Sequence, residues 1–316
     1  MKKEEGRRTV LHRGLTGVVA VTAAIALLAG CGKKDSQDVA TTSLDAGQEQ
    51  QATGTDTTQA QSWDGGVGEV PEGALTVVAS PGVHTDILRM AQSILADEGI
   101  ELYIDSDFDD YLMPNLLVDG GVYECNYFQH EEYLATFNAE QGTDLVSVGK
   151  IHFEPLGIYR GVKWSLDDLT DGDVITIPRD TANQARALKL LSDVGLISLD
   201  TSVQDPSIND VTDNPKGLRL ELMDASQVPS AVANSAFVVM NGNYARQALY
   251  TVTSDAIAYE NPKSSVAGRY ANIIAVNREN ANDPRVLALV KALQSEDVRN
   301  YMETKYAGAV VPYTGS

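Results

Sequence analysis

Leu75-Thr76-Val77-Val78-Ala79-Ser80-Pro81-Gly82 opens the part of the chain whose pattern decides the fold. Its first five residues are the β-branched and apolar run of a strand, and Pro81-Gly82 turns the chain. Ile87, Leu88, Ala91, Ile94 and Leu95 then fall on one face at helical spacing, and Gly99 ends the pattern. Ile100-Glu101-Leu102-Tyr103-Ile104 returns as a strand. The same beat recurs at Asp173–Ile177 with a helix near Ala182–Val194, and at Phe237–Met240 with a helix over Tyr244–Leu249. Alternation of this kind predicts an α/β protein with mostly parallel sheets and helices on their faces. A body spanning 74–316 is long enough for two such units.

The residues before this body have a different character. Lys2, Lys3, Arg7, Arg8 and Arg13 precede an uncharged apolar run from Leu15 to Ala29, shorter than the ~20 residues that a membrane-spanning helix requires. Leu28-Ala29-Gly30-Cys31 follows, as at the end of a secretory signal peptide. It resembles the lipobox of bacterial lipoproteins, which implies that residues 1–30 are removed and that Cys31 carries the lipid. Two or three acyl chains hold a protein at a membrane durably, since each buried methylene contributes ~0.8 kcal/mol. Residues 31–73 are rich in Thr, Gln, Ser, Asp and Gly, too poor in apolar surface to offset chain entropy, and read as a tether between lipid and body.

The formal charge is −20, and loss of residues 1–30 leaves a chain near −23. Nucleic acid and anionic headgroups are poor partners for such a surface. With Cys31 lipidated, Cys125 has no disulfide partner and is expected to pack as a small apolar residue in a strand. His84, His130 and His152 are far apart, and no His/Cys/carboxylate spacing points to a metal; no cofactor is expected.

Ligands on open α/β sheets sit beyond the carboxyl ends of strands. Three such ends carry chemistry: Asn126-Tyr127-Phe128-Gln129-His130 with Tyr133, Pro178-Arg179-Asp180-Thr181-Ala182-Asn183 with Arg186, and Met240-Asn241-Gly242-Asn243-Tyr244. Asp180 suits a helix N-cap, which would put Asn183 and Arg186 on one face of the first turns. An arginine there can grip a carboxylate with two parallel hydrogen bonds, or pair with an acid on a solvated face.

At these residues the chain resembles the methionine-binding lipoproteins of the NlpA/MetQ type. The densest stretches are Phe108–Asn115, Tyr127–Leu134, Val148-Gly149-Lys150, Asp213–Lys216 and Tyr270–Ile274. The resemblance implies a periplasmic-binding-protein fold of the type II kind, with 74–157 plus 269–316 as one lobe and 158–268 as the other. The chain would cross between lobes near 155–160 and 265–272, and a long helix around Pro284–Tyr306 would return to the first lobe. The ligand would meet Tyr111, Asn126, Phe128, His130 and Tyr133 from one lobe and Asn183, Arg186 and Asn241 from the other. Arg186 would take the carboxylate, the asparagines would orient both charged groups, and the rings would line a side-chain slot. Implied partners are an ABC permease and its ATPase, with membrane attachment through the lipid. The family's usual Asn-Asp-Pro-Thr-Asn is Arg179-Asp180-Thr181-Ala182-Asn183 here, which leaves the D-isomer, a methionine-containing dipeptide or another small amino acid open as ligands.

No serine or cysteine nucleophile with an accompanying base is discernible and the Gly-x-Ser-x-Gly elbow is absent, so an enzyme is not expected. A surface lipoprotein with an adhesive role is the other alternative. Asp105, Asp107, Asp109 and Asp110 lack the glycine and distal glutamate of a calcium loop and read as an acidic turn.

Overall fold

The computed structural model describes residues 70–315. The signal peptide, Cys31 and the tether as far as residue 69 lie outside them. The chain runs through β1 (Leu75–Ala79), α1 (Val83–Asp97), β2 (Leu102–Asp105), α2 (Met113–Asp119), β3 (Cys125–His130), α3 (Glu131–Gln141) and β4 (Leu145–Phe153). It continues with β5 (Gly157–Arg160), β6 (Val174–Pro178), α4 (Thr181–Asp193), β7 (Ser198–Leu199), β8 (Val211–Asp213), β9 (Arg219–Met223) and β10 (Phe237–Met240). After α5 (Gly242–Gln247), α6 (Val252–Asp255), β11 (Ala256–Tyr259) and α7 (Ser265–Arg269) come β12 (Asn272–Asn277), α8 (Pro284–Leu293), α9 (Glu296–Tyr306) and β13 (Val311–Pro312).

Two sheets result, ordered β13-β4-β12-β3-β1-β2 and β11-β5-β10-β6-β9, with β7 and β8 in a small ribbon. Both are mixed, where mostly parallel sheets were expected. β1 runs parallel to β2 and β3, and β6 to β9 and β10, but β12 is antiparallel to β3 and β4, and β5 to β10 and β11. The reversal comes from the crossings: β5 and β12 are the first strands after the chain changes sheets, and each enters against the direction of its neighbours. The crossings are Glu154–Leu156 and residues 260–271, with Gly157 already in the second sheet. The two are stitched together, Glu260 N–H donating to Leu156 O at 3.0 Å and Leu156 N–H to Glu260 Oε2 at 2.8 Å.

α1 forms where the spacing places it. Gly82 takes φ +84°, a conformation that suits glycine, and releases the chain into the helix. Ile87, Leu88, Ala91 and Leu95 are fully buried. They join Leu75 and Val77 of β1 and Val286, Leu289 and Leu293 of α8 in one core. A second core gathers Ile158, Ile175, Ile177, Leu188, Leu191 and Val239 around the other sheet. The final helix is broken in two: Gln294 caps α8, and the Ser295 side chain accepts from Val298 N–H to begin α9. Cys125 is buried in β3. Among the described residues no helix is long and apolar enough to cross a membrane.

Candidate functional site

Tyr111, Phe128, Gln129, His130 and Tyr133 from the first sheet's side face Asn183, Arg186, Asn241, Gly242 and Asn243 from the second, with Glu154 and Asn272 at the base. The cavity they enclose is small, about 20 Å³. A single water needs ~10–15 Å³, so anything larger enters only by exchanging contacts that the walls make with each other. Tyr111 donates its hydroxyl to Asn243 Oδ1 at 2.7 Å, and His130 Nε2 lies 3.2 Å from Asn183 Oδ1, which also accepts from Asn241 Nδ2 at 2.9 Å. A second cavity of about 370 Å³ adjoins it, sharing Tyr111 and Tyr133 and rimmed by Arg179, Asp180, Asp224 and Tyr244.

The first-sheet side is shaped by a bulge. Tyr127 pairs with Ile274 and Gln129 with Ile273, so Phe128 has no partner on β12, and the strand's strict alternation is lost just before the cavity. His130 then ends β3 and caps α3, its Nδ1 accepting from Tyr133 N–H at 3.1 Å. Nε2 therefore carries the proton and donates to Asn183. Burial, with the Arg186 charge second, lowers the His130 pKa to about 3, so the ring is neutral. Tyr111, Phe128 and Tyr133 form an aromatic wall with centroids 5.5–6.0 Å apart.

Of the residues singled out in the sequence, Tyr111, Phe128, His130, Tyr133, Asn183, Arg186 and Asn241 all line the cavity. Asn126 does not. It is fully buried behind the wall, its amide donating to Asn115 Oδ1 at 2.8 Å and accepting from Gln129 Nε2 at 2.9 Å. Asp180 is the N-cap of α4, accepting from Asn183 N–H and Nδ2, both at 2.9 Å. Burial pushes its carboxyl up to about 6. The acidic turn serves the backbone: Asp110 Oδ1 accepts from Leu112 and Met113 N–H, and Asp105 Oδ1 from Asp107 N–H.

Arg186 has a larger task than spacing suggests. Its Nε and Nη2 hold the Glu260 carboxylate at 2.6 and 2.5 Å, and Nη2 also donates to Glu154 O at 2.8 Å. The buried guanidinium thus ties together both crossings between the sheets, and only Nη1 has no partner among the described residues. Arg179 is exposed and sits 3.2 Å from Asp224, away from this cavity.

Glu154 was not legible as a site residue, although an acid inside the apolar run Ile151-His152-Phe153-Glu154-Pro155-Leu156 is a signal of an unusual environment. It is buried, and burial raises its pKa above the ordinary carboxylate value. Its Oε2 has no hydrogen-bond partner among the described residues, nor have Asn241 Oδ1 and Asn243 Nδ2. A Cβ added at Gly242 would stand 2.6 Å from Glu154 Cβ and 2.7 Å from Oε2, so glycine is what lets α5 approach this carboxylate. His84 and His152, separated in sequence, also converge on it, with ligand-type atoms of the trio within 4.8 Å of one another.

Two α/β sheets joined by paired crossings, with a polar cavity lined from both, are the layout of a solute-binding protein. The sequence family is explicit: residues 75–314 match the NlpA lipoprotein model, and the chain belongs to that family. The methionine-binding lipoprotein MetQ of Bacillus subtilis is 35% identical over 244 residues, covering 75% of this chain and 87% of the relative. A lipoprotein structure from Ruminococcus gnavus is 46% identical with a TM-score of 0.75, covering 76% of this chain and 99% of that one. A nutrient binding protein from Burkholderia cenocepacia, solved bound to methionine, is 33% identical with a TM-score of 0.71, covering 76% and 99%. An ABC transporter periplasmic substrate-binding protein from Coxiella burnetii gives 33% and 0.71, covering 76% and 100%. The fold is thus that of the periplasmic substrate-binding proteins.

Proposed function

We propose that this lipoprotein captures methionine, in the L-form and also in the D-form, and delivers it to an ABC permease and its ATPase. The observation that carries the reading is the set of unpaired polar atoms in the cavity wall. Glu154 Oε2 and Asn241 Oδ1 are acceptors suited to an ammonium and Asn243 Nδ2 is a donor suited to a carboxylate, with the Arg186 guanidinium lining the same cavity. Together they complement the two charged ends of an amino acid. A thioether side chain has no charge to match, and the wall of Tyr111, Phe128 and Tyr133 offers it ring contacts of ~0.3–1.5 kcal/mol each. The Burkholderia protein bound to methionine supports the choice among amino acids. In this reading residues 74–157 plus 269–316 and residues 158–268 are lobes that close by contacting the ligand from both sides.

L-methionine is expected to raise the melting temperature, whereas glutamate and lysine leave it unchanged. At a thousandfold excess over Kd the linkage adds ~4.1 kcal/mol, which a thermal melt resolves. An equal shift with glutamate would contradict an uncharged side-chain slot. Attachment at the outer face of the cell membrane through Cys31 belongs to the same proposal. Cys31→Ala is expected to move the protein into the soluble fraction, and continued sedimentation with membranes would refute lipidation at that residue.

A further inference from the structure

Behind Glu154 lies a buried chain of hydrogen-bonded groups. The Tyr127 hydroxyl meets His152 Nδ1, and His152 Nε2 meets Glu154 Oε1 at 2.8 Å. From the other side His84 Nε2 lies 2.9 Å from Asn272 Oδ1 and 3.5 Å from the same Glu154 Oε1. The donor directions follow from the partners. Asn272 Oδ1 only accepts, so His84 carries its proton on Nε2. Tyr127 is fully buried with His152 as its hydroxyl's partner, so its O–H donates to Nδ1 and leaves the His152 proton on Nε2. One ring N–H, that of His152, therefore donates to Oε1, while His84 stands 3.5 Å from the same oxygen with its proton given to Asn272, and no group reaches Oε2.

We propose that Tyr127 and His152 are positioning residues that engage Glu154 Oε1 and leave Oε2 aimed into the cavity, making the site selective for ligands with a protonated amine. The inference rests on the reading of Glu154 as the ammonium acceptor. Its physical basis is the competition at a buried acid: burial favours the neutral carboxyl, while N–H donors favour the anion. A protonated Glu154 could not match an ammonium. Burial holds both rings neutral, His84 at about 4 and His152 at about 3, so they act as donors and not as cations. The other charged or titratable groups facing Glu154 are Arg186 of α4, Arg246 of α5, Tyr111 ahead of α2, Tyr159 of β5 and Tyr306 of α9. The arginines favour the anion but point no donor at Oε1. Without Tyr127's hydroxyl only the Glu154 carboxylate itself holds the His152 proton on Nε2, and in the other tautomer a bare Nε2 lone pair would compete with Glu154 for a proton.

The test is calorimetric titration of the detergent-solubilised full chain with L-methionine across roughly pH 5 to 8, the range in which such perturbed groups change charge. Tyr127→Phe and His152→Leu are expected to weaken binding at neutral pH by about tenfold or more and to move the acidic loss of affinity upward by about one pH unit. His152→Gln, whose amide can occupy the place of the ring Nε2–H, is expected to recover most of both effects. Glu154→Gln is the reference and should bind weakly throughout. Folded Tyr127→Phe that binds within about twofold of wild type with an unmoved pH profile overturns the proposal, as does His152→Gln behaving like His152→Leu, since packing alone would then account for the loss. If His152→Leu fails to fold, Tyr127→Phe decides. If Glu154→Gln binds like wild type, the ammonium assignment itself falls; if only that variant is impaired, the positioning role falls alone.

Discussion

Arg186→Ala is expected to lower both the stability of the protein and its affinity for methionine, by amounts that a melt and a titration each resolve. The side chain lies in a buried ion pair with Glu260 at 2.5 Å and reaches Glu154 O at 2.8 Å, so its removal strands a carboxylate where water does not reach. Breaking such a pair by deleting one partner costs on the order of 3–5 kcal/mol. The ligand carboxylate loses its charged partner at the same time, and affinity should fall by more than about a hundredfold, each ~1.4 kcal/mol being a factor of ten. The two effects separate in the double variant Arg186→Leu/Glu260→Leu. Apolar replacement of both partners relieves the stranded charge, so stability should return toward wild type while binding stays lost. Arg179→Ala is the control. Its guanidinium is exposed and paired with Asp224 on the rim of the neighbouring cavity, and its loss should weaken binding by less than about tenfold. If Arg179 proves essential and Arg186 dispensable, the ligand site lies on the other side of the tyrosine wall.

Glu154→Ala should abolish binding of methionine while leaving the protein folded. Leaving the His152 Nε2–H without its Oε1 acceptor costs ~1–3 kcal/mol, offset in part because Oε2 has no partner to lose and a neutral residue removes the burial penalty on the carboxylate. The ammonium of the ligand would then be enclosed without a counter-charge, which costs on the order of 3–5 kcal/mol, again beyond about a hundredfold. Titration with N-acetylmethionine gives the complementary reading. That compound lacks the ammonium, so wild type should bind it poorly and Glu154→Ala should discriminate between it and methionine far less. Strong methionine binding by Glu154→Ala would place the ammonium elsewhere in the cavity.

What the sequence disclosed and what it hid follow from how far apart the partners lie along the chain. β1, α1 and β10 are local: their periods and the turn at Pro81-Gly82 mark them within a few residues. The same holds for Asp180, whose capping of α4 reaches only to Asn183, and for the aromatic wall, whose Phe128 and Tyr133 straddle one strand end. The Arg186 partnership spans 74 residues to Glu260, and His84 meets Asn272 across 188. No periodicity reports such meetings, because the chain's crossings bring them about. The same crossings explain the mixed sheets. The break between α8 and α9 belongs to a different class: Ser295-Glu296-Asp297 is a local N-cap signal, outweighed by the apolar residues that continue on either side of it. Asn126 shows the opposite error, a residue adjacent in sequence to the cavity wall that the bulge at Phe128 leaves behind it.

Expressed with its signal peptide intact and purified from the membrane fraction, the protein should carry its ligand if that ligand is held as tightly as a buried zwitterion between two lobes allows. Denaturing the purified protein and identifying the released small molecule by mass spectrometry is therefore the most direct test of what the cavity takes. Methionine, in near one-to-one ratio and absent from Arg186→Ala prepared in parallel, is the expected result. Release of a different compound lacking either a free amine or a carboxylate, or equal methionine from the Arg186→Ala protein, would contradict the cavity between the two sheets as the methionine site.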